Sequence, residues 1–497
     1  MTALPQMLAN VARTNLGRTA VVYGETTVSY AELERRILSL SAQLHDRGIR
    51  PGDRVAILLP NGLEFVTSYF AIVASGAIVV PLNEHYRQPE LMYFIEDASA
   101  SFVITAQPFM ALCHQVLQSC EKPCRLLLVE DLINAPTPGS LGDLTTEIDP
   151  DAPVMYQFSS GSTGRPKRIC RTHRNLVFEL GSLVQTLSLT PEDRFLGVTP
   201  FSHVNGLMRS MMASIRAGGT LYPVVKFERQ AVADIIERHR ITIFIGVPFM
   251  FGVLAKTNFR RPPDFSSLRL CVSASAPMPP ELNRQFYEKF GIYVRQLYGS
   301  TETGTISVDL GAGIERSLES VGMPIAGVEL DVYTDSGQPA QVNEIGEIAV
   351  KSPSAIESYD GCNALNQASF RNGYFFTGDV GRRGPDGLLY LTGRKKFFIN
   401  KGGYKINPRE IEQLLETHPN VEEAVVLGLS TPFGDERVKA MVVLNAPCAE
   451  QEIIEHCRGR IADFKVPSLI EFRERFPKTP TGKIRRDLLT QKDETFQ

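Results

Sequence analysis

Hydrophobic and polar residues follow two recurring patterns along the chain. Residues 29–48 carry an apolar side chain every three or four positions, at Leu33, Ile37, Leu40 and Leu44. This spacing is typical of an amphipathic helix, with Ser29 as its N-terminal cap and Gly48 at its end. Short and almost wholly apolar runs, typical of buried strands, occupy residues 55–59, 77–80, 102–104 and 125–129. The alternation of helix and strand predicts an α/β fold of layered subdomains with largely parallel sheets.

The pattern changes after about residue 321. Short strand-like runs at 329–333 and 346–350 predict a small β-rich subdomain. Beyond Gly393 the chain is basic, and Asn407 followed by a proline predicts the start of another helix. Further apolar runs complete a compact α+β region. We therefore predict a large N-terminal domain over residues 1–394 and a small C-terminal domain over residues 395–497.

Composition narrows the class of protein. The 497 residues are 43% hydrophobic and 22% charged, which is ordinary for a globular protein of several folding units. Lys and Arg total 52 against 55 Asp and Glu, so the net charge of −3 gives no support for nucleic-acid binding. The most apolar stretch, residues 65–80, is too short and mixed to span a bilayer. We expect a cytoplasmic protein in which the eight scattered cysteines are reduced.

Residues 158–167 form a stretch rich in serine and glycine. Four hydroxyl side chains, two glycines and two cations, including Lys167, lie within ten residues. Inward-pointing amides, hydroxyl donors and a mobile ammonium group would cradle a polyphosphate. The spacing differs from G-x-x-x-x-G-K-[ST] and from G-x-G-x-x-G, and a polar turn is the alternative interpretation of this stretch taken alone.

Four other stretches combine chemistry-bearing residues with turns. They are 199–206 with a histidine and an asparagine, 271–277 with small residues, 296–304 with an aromatic, a hydroxyl and a carboxylate, and 374–381 with a carboxylate. Tyr298 would stack on a base, Glu302 would hold a hard cation such as Mg²⁺, and Asp379 would accept from ribose hydroxyls. Tight packing, a structural histidine or an ordinary turn would explain each stretch alone. The basic loop at 477–486 would by itself be a solvated surface.

Taken in order, these stretches resemble the signatures of the adenylate-forming superfamily, which comprises acyl-CoA synthetases, peptide-synthetase adenylation domains and beetle luciferases. The resemblance covers nearly the whole chain, from residues 28–33 to Lys483. Residues 379–412 look more similar to free-standing acyl- and aryl-CoA ligases than to peptide-synthetase domains. The resemblance implies a large N-terminal domain that binds ATP and the acid, and a mobile C-terminal domain.

The resemblance also implies a role for each matching residue. The ATP phosphates would contact Ser159, Ser160, Gly161, Ser162, Thr163, Gly164 and Lys167. The adenosine would contact Ala274, Ser275, Ala276, Tyr298, Asp379 and Arg394. The catalytic set would be Lys483, Glu302 as the magnesium ligand, Thr301 on phosphate, and His203 as a gate between the ATP and acyl sites. Lys396 matches the hinge of the family. Rotation at the hinge would move Lys483 away from the active site after adenylation and would bring another side of the small domain to the thiol.

The activity implied is adenylation of a carboxylic acid with release of pyrophosphate, followed by transfer to the phosphopantetheine thiol of CoA. The cofactors would be ATP, Mg²⁺ and CoA. Alternatives are an acyl or peptidyl carrier protein as acceptor, an amine or an oxidation as the fate of the adenylate, and a catalytically silent nucleotide or acyl binder. An amino acid is a poor candidate substrate, since residues 201–212 contain no carboxylate.

The expected acid pocket is mainly apolar. Besides His203, its candidate residues are Asn205, Met208, Phe249, Met250, Val272, Ser273 and Thr303, compatible with an aryl or a medium-length acyl acid. Two residues depart from the family pattern. Arg168 occupies a common glycine position, beside the further basic residues Arg171 and Arg174, and Phe397 replaces the acidic residue that often follows the hinge.

Overall fold

Apolar runs become strands where both faces of a sheet are covered. In the computed structural model, the runs predicted as strands at 55–59, 77–80 and 102–104 form strands at Arg54–Leu58, Ile78–Pro81 and Phe102–Thr105, and nearly all of their residues are buried. The structure describes residues 3–134, 148–159, 166–311, 318–401, 404–430, 436–458, 460–461, 463–479 and 482–490.

The predicted capped helix begins at Tyr30, directly after Ser29. The Ser29 hydroxyl accepts a hydrogen bond from the Glu32 amide at 3.2 Å, so one orphan donor of the first turn is satisfied. The four apolar positions Leu33, Ile37, Leu40 and Leu44 are buried. The helix runs to Asp46, and the prediction from spacing is confirmed.

The helices and strands follow one another in the order that the periodicity predicted. The α-helices are α1 (Leu4–Thr14), α2 (Tyr30–Asp46), α3 (Leu63–Ala74), α4 (Gln88–Asp97), α5 (Met110–Ser119), α6 (Val129–Ile133), α7 (His173–Thr186), α8 (Ala213–Ala217), α9 (Arg229–His239), α10 (Pro248–Lys256), α11 (Pro280–Phe290), α12 (Asn363–Ser369), α13 (Pro408–Glu416), α14 (Glu450–Cys457) and α15 (Asp487–Thr490). A π-helix covers Asn205–Met212, and 3-10 turns cover Gln107–Phe109, Lys395–Phe397 and Asp463–Lys465.

The strands are β1 (Thr19–Tyr23), β2 (Thr26–Ser29), β3 (Arg54–Leu58), β4 (Ile78–Pro81), β5 (Phe102–Thr105), β6 (Arg125–Leu128), β7 (Pro153–Ser159), β8 (Lys167–Thr172), β9 (Arg194–Gly197), β10 (Thr220–Pro223), β11 (Ile243–Gly246), β12 (Leu270–Ser273), β13 (Val294–Ser300), β14 (Gly304–Val308), β15 (Ser320–Pro324), β16 (Glu329–Tyr333), β17 (Gly346–Lys351), β18 (Phe370–Arg371), β19 (Tyr374–Arg383), β20 (Leu389–Arg394), β21 (Ile399–Lys401), β22 (Tyr404–Ile406), β23 (Val421–Ser430), β24 (Glu436–Leu444) and β25 (Leu469–Arg473).

The chain forms two units. The first contains Met1–Glu329 and Lys351–Gly373, and the second contains Leu330–Val350 and Tyr374–Gln497. In the first unit, one sheet has the order β6-β5-β3-β4-β7-β8, and a second has the order β15-β14-β13-β12-β11-β9-β10-β1-β2. Side chains of α9, α10 and α11, among them Ile236, Phe251 and Phe286, form a buried core with β9, β11, β12 and β13. The prediction of layered α/β structure is confirmed.

The order of strands reverses at one place in the second sheet. From β9 the chain proceeds to β10 on one side, whereas β11, β12 and β13 follow on the other side. These neighbours pair in parallel, so their carboxyl ends lie at one edge. In open α/β sheets, ligands bind in the crevice at such a switch point, outside the carboxyl ends of the strands. The fold thus predicts a ligand site at the segments that follow β9, β11, β12 and β13.

The second unit contains the predicted β-rich segment and the basic C-terminal region. Strands β16, β17, β19 and β20 are neighbours in a sheet, β21 and β22 form a hairpin, and β23, β24 and β25 form a third sheet on which α13 packs through Ile411 and Leu415. The domain boundary predicted at 394/395 stays a prediction. Within the described parts of the chain, the structure contains no helix of the length and apolar character that crossing a bilayer requires.

Candidate active site

The segment after β9 brings a histidine and an asparagine to the switch point. The Asn205 amide donates to the carbonyl oxygen of Gly246, the last residue of β11, at 3.2 Å. His203 Nε2 lies 3.2 Å from the Asn83 amide nitrogen. Burial lowers the pKa of His203 to about 4, so the ring is neutral at physiological pH and accepts from Asn83 through Nε2. A neutral ring is better suited to act as a gate between two sites than to bind an anion through a positive charge.

The segment after β12 contains a residue with unusual backbone geometry. Ser275 has a φ of 73°, a left-handed conformation that non-glycine residues rarely adopt. Ala274 is buried and Ser275 is exposed. Backbone strain of this kind collects at ligand sites, where surrounding structure holds it in place. The geometry accords with the predicted role of residues 274–276 beside the adenine.

Three buried hydroxyl groups near these strand ends lack hydrogen-bond partners among the described residues. They are Thr199 Oγ1 and Ser202 Oγ after β9, and Ser273 Oγ at the end of β12. A buried hydroxyl without a partner costs free energy, and native structures rarely leave one unsatisfied. Polar groups of a bound ligand would satisfy them, so the donor set fits ATP and an acid in this crevice.

The turn that follows β13 is held from several directions. The carbonyl oxygen of Thr301 accepts from Arg171 at 3.2 Å, that of Glu302 accepts from the Ile356 amide at 2.9 Å, and that of Thr303 accepts from Ser354 at 2.7 Å. These bonds fix the backbone of the turn and leave the predicted phosphate hydroxyl and magnesium carboxylate on a rigid support.

Tyr359 connects two residues that the sequence placed in different motifs. Its hydroxyl donates to Glu302 Oε1 at 3.2 Å, and the ammonium group of Lys167 lies 5.2 Å from the centre of its ring. The predicted magnesium ligand and the predicted phosphate-binding lysine thus both contact one tyrosine. The sequence interpretation missed Tyr359, because it lies in a segment without periodicity and 57 residues beyond Glu302.

The serine- and glycine-rich stretch connects two paired strands. Ser159 at the end of β7 lies opposite Lys167 at the start of β8 in an antiparallel register. Both predicted residues therefore stand at the base of the connection. Ser160, Gly161, Ser162, Thr163 and Gly164 lie outside the described residues, and their assignment to the phosphates stays a prediction.

Magnesium would be held by Glu302 together with phosphate oxygens. Mg²⁺ commonly binds through one or two carboxylates and substrate phosphates rather than in an all-protein cage. In keeping with this, the described residues contain no group of three or more His, Cys, Asp or Glu side chains able to hold a metal. Glu302 is half-buried, and its carboxylate accepts a hydrogen bond from the Tyr359 hydroxyl through Oε1.

In the second unit, the two predicted ribose residues are cross-strand neighbours. Asp379 on β19 pairs with Arg394 on β20, and Arg394 Nε donates to Asp379 Oδ1 at 2.6 Å. The ion pair orients a carboxylate that is largely buried, with its side chain 12% exposed. A positioned carboxylate of this kind suits two vicinal hydroxyl donors.

The predicted hinge lies between two anchored residues. Lys395 pairs with Glu347 at 2.9 Å and with Asp335 at 3.5 Å, and the ring of Phe397 lies 5.3 Å below the guanidinium of Arg486. Lys396 is between them in a 3-10 turn. Because both flanking residues are fixed, a change of backbone angle would concentrate at this position.

Lys483 is exposed, and its backbone is bonded to Thr479. Its amide donates to the Thr479 hydroxyl at 3.1 Å, and its carbonyl accepts from the Thr479 amide at 2.7 Å. Gly482 has a φ of 82°, which favours glycine. The segment therefore presents the predicted catalytic lysine from a defined backbone.

The candidate acid-pocket residues divide by exposure. Buried members are Asn205, Met208, Met250, Val272, Ser273 and Thr303. Phe249 is 62% exposed and contacts Phe227 edge-on, with ring centres 6.1 Å apart. The assignment of this set to the acid stays a prediction.

The arginines beside the phosphate stretch have separate partners. Arg168 pairs with Asp97 and Asp360, each at 3.4 Å, and Arg171 pairs with buried Glu179 at 2.9 Å. They are thus individually neutralised, and Arg168 ties β8 to neighbouring segments.

Comparison with known proteins decides the family. Residues 8–360 match the family described as AMP-binding enzyme, and residues 410–483 match the AMP-binding enzyme C-terminal domain. The chain belongs to this family. Feruloyl-CoA synthase from Amycolatopsis sp is 33% identical to it over 483 residues, which cover 95% of either chain.

Two similar solved structures contain ATP, and one of them also contains magnesium. ATP-bound MatB from Rhodopseudomonas palustris has a TM-score of 0.89 at 27% identity, covering 98% of this chain and 99% of that chain. O-succinylbenzoate coenzyme A synthetase MenE from Bacillus subtilis, solved with ATP and a magnesium ion, has a TM-score of 0.87 at 30% identity, covering 97% and 99%. The present AMP-binding enzyme is an acid–thiol ligase. It uses ATP and Mg²⁺ to convert a small carboxylic acid to acyl-AMP, releases pyrophosphate, and forms the thioester with CoA.

Proposed function

We propose that the two half-reactions depend on different residues of this AMP-binding enzyme. In the first, a carboxylate oxygen of the acid attacks the α-phosphorus of ATP and the bond to pyrophosphate breaks. In the second, the sulfur of CoA attacks the acyl carbon and AMP leaves. The observation that carries the assignment is that Glu302 and Lys167, the predicted magnesium ligand and the predicted phosphate-binding cation, both contact Tyr359.

Charge neutralisation and alignment supply most of the acceleration in the first step. A carboxylate and a polyphosphate repel each other, and phosphoryl-type substitution needs little covalent help from the protein. Lys167 would bind phosphate oxygens, Glu302 would hold Mg²⁺ against them, and Thr301 would donate to phosphate. Lys483 would lie between the attacking carboxylate and the α-phosphate, where its charge offsets the repulsion.

A further set of residues would hold the adenosine. Tyr298 and residues 274–276 would contact the adenine, and Asp379, oriented by Arg394, would accept from the ribose hydroxyls. His203, neutral because of burial, would separate the ATP site from the acid site. Each role is proposed from the family resemblance together with the contacts described above.

The substitution Lys483→Ala tests the division of labour. Adenylation, measured as ATP–pyrophosphate exchange, should fall by about 100- to 1,000-fold, the usual loss when one preorganised electrostatic contact to a transition state is removed. Thioester formation from pre-made acyl-AMP and CoA should stay within about threefold, since no polyphosphate is attacked in that step.

Lys478→Ala provides a matched control on the same loop. Lys478 forms an exposed ion pair with Glu423, so its loss should change neither half-reaction appreciably. If Lys483→Ala reduces both half-reactions equally, the proposed division is wrong.

We further propose that free CoA is preferred over a carrier protein and over an amine as the acyl acceptor. The support is the resemblance to free-standing ligases and the similarity to feruloyl-CoA synthase and MenE. Product analysis with CoA, a phosphopantetheinylated carrier protein and an amine supplied separately tests it. Faster acyl transfer to the carrier protein or to the amine would contradict the proposal. We propose that the reaction takes place in the cytoplasm.

A further inference from the structure

Three charged side chains are buried together in the first unit. They are Arg171 on β8, Glu179 on α7 and Arg209 in the π-helix, with exposed fractions of 0%, 0% and 4%. Two cations and one anion leave this cluster with one excess positive charge.

Arg171 and Thr305 together occupy both carboxylate oxygens of Glu179. Arg171 Nη2 donates to Glu179 Oε2 at 2.9 Å, and Glu179 Oε1 accepts from the Thr305 amide at 2.9 Å and from the Thr305 hydroxyl at 3.0 Å. Glu179 therefore closes a network between β8, α7 and β14. Among the described residues, no carboxylate lies within salt-bridge distance of Arg209.

The hydrogen bonds of Arg209 to described residues go to neutral groups. Its Nε donates to Thr305 Oγ1 at 3.0 Å, and its Nη1 donates to Asn205 Oδ1 at 3.3 Å. Its Nη2 has no acceptor in the described parts of the chain. Burial lowers the pKa of Arg209 to about 10, so the guanidinium stays charged at physiological pH. Glu179 is the anion that both buried guanidinium groups share. Burying a second positive charge without an anion of its own is costly, which indicates that a further anion completes this arrangement.

The free edge of Arg209 lies at the candidate site. A Cβ atom built on Gly299 would lie 2.6 Å from Arg209 Nη2. Gly299 directly follows Tyr298, and Asn205 is one of the candidate acid-pocket residues. The guanidinium thus lies between the turn assigned to the nucleotide and the segment assigned to the acid. Its neighbourhood in a π-helix is consistent with a functional site, since such helices frequently occur there.

We propose that Arg209 binds a second anionic group of the acid substrate, so that the enzyme prefers acids with two anionic groups, such as dicarboxylates, over the matched monocarboxylates. This inference rests on the proposed function. A guanidinium fork recognises a carboxylate through two parallel hydrogen bonds. The reacting carboxylate is a poorer occupant, because pairing with arginine would lower its nucleophilicity, and it loses its charge on adenylation. A second anionic group keeps its charge through both half-reactions.

ATP–pyrophosphate exchange with paired acids tests the proposal. The pairs are butanedioate with butanoate, pentanedioate with pentanoate, and benzene-1,4-dicarboxylate with benzoate. In the unmodified enzyme, kcat/KM should be at least tenfold higher for the dianionic member of at least one pair. In Arg209→Met that preference should fall by about 10- to 100-fold, mostly through KM, while the monocarboxylate is used as well or better.

Two further variants keep the test decisive. Arg216→Met removes one guanidinium on α8 and should leave the preference unchanged. Arg209→Lys keeps the charge without the guanidinium fork and should give an intermediate preference for the dianionic acids. If Arg209→Met does not fold, the comparison of Arg209→Lys with the unmodified enzyme tests the proposal.

A preference of the unmodified enzyme for monocarboxylates overturns the inference, as does an equal loss with every acid in Arg209→Met. Neither outcome affects the proposed adenylation, which is still seen as exchange. Absence of exchange with every acid, of either kind, would instead overturn the proposed function and the inference with it.

Discussion

His173 and His203 illustrate how burial, rather than residue type, determines charge in this protein. Burial lowers the pKa of both to about 4, from an ordinary value of 6.5. His173 Nδ1 accepts a hydrogen bond from the Leu4 amide at 3.2 Å, a bond that requires the unprotonated nitrogen. A histidine in a motif cannot be assumed to act as a cation at neutral pH.

The pH dependence of stability follows from these lowered pKa values. Above pH 6.5 the histidines are neutral in the folded and unfolded states, and their contribution to stability is complete. Between pH 6.5 and 4 the unfolded chain binds more protons, so the free energy of unfolding should decrease as the pH falls. His173→Gln keeps an acceptor without a titrating ring, and it should reduce this slope in urea unfolding measured at several pH values.

The exposed His114 provides the control for this prediction. His114→Gln makes the same chemical change at an exposed surface position and reports the effect of the substitution itself. An identical slope in His173→Gln and the unmodified protein would show that His173 is not held neutral by the fold.

At the scale of elements, the pair Arg171–Glu179 joins β8, α7 and β14 below the candidate site. Gly304 also belongs to this junction, since a Cβ atom there would lie 2.3 Å from Glu179 Oε2. Gly304 has a φ of 72°, so both its geometry and its surroundings require glycine. The buried carboxylate thus fixes the start of β14 and, through it, the turn that carries Glu302.

Glu179→Gln should be strongly destabilising. It leaves two buried guanidinium groups without an anion, and breaking a buried ion pair typically costs about 3–5 kcal/mol. Urea unfolding should show a loss of that size in the free energy of unfolding. Asp264→Asn, which breaks the exposed pair of Asp264 with Arg240, should have little effect. A loss in Glu179→Gln as small as in Asp264→Asn would mean that the buried pair contributes nothing.

The sequence predicted elements well where the signal was local. The helix at 29–48 followed from apolar spacing and a serine cap, and the strands of the C-terminal region followed from apolar runs bounded by turns. Tyr359 and Arg209 were missed, because their significance comes from contacts with residues distant in the chain. A signal for Arg209 was present, since it is a lone charge within the otherwise mostly apolar run 207–212.

At the scale of the whole molecule, the order of motifs predicted more than any single motif. Each stretch alone allowed an ordinary structural explanation, whereas their sequence along nearly the whole chain indicated the family, and the comparisons confirmed it. The acid substrate was not predictable in this way, because the motifs are shared by enzymes for different acids. It depends on side chains such as Arg209 that lie outside the motifs.

The anchored residues on both sides of Lys396 lead to a prediction about the two half-reactions. Lys396→Pro fixes φ near −65° and should prevent rotation there. One half-reaction should then fall by more than about tenfold while the other stays within about threefold, measured by ATP–pyrophosphate exchange and by thioester formation from acyl-AMP. Lys396→Ala keeps the rotation free and should leave both within about threefold. Equal losses in Lys396→Pro would place the hinge elsewhere.

The contact of Phe397 with Arg486 also makes position 397 a suitable place for a fluorescent side chain. The chain contains no tryptophan, so Phe397→Trp would introduce a single indole beside the predicted hinge. Its emission would depend on the nearby guanidinium and on the exclusion of water from the ring. The predicted rotation at Lys396 could then be followed by intrinsic fluorescence in real time, without an attached dye.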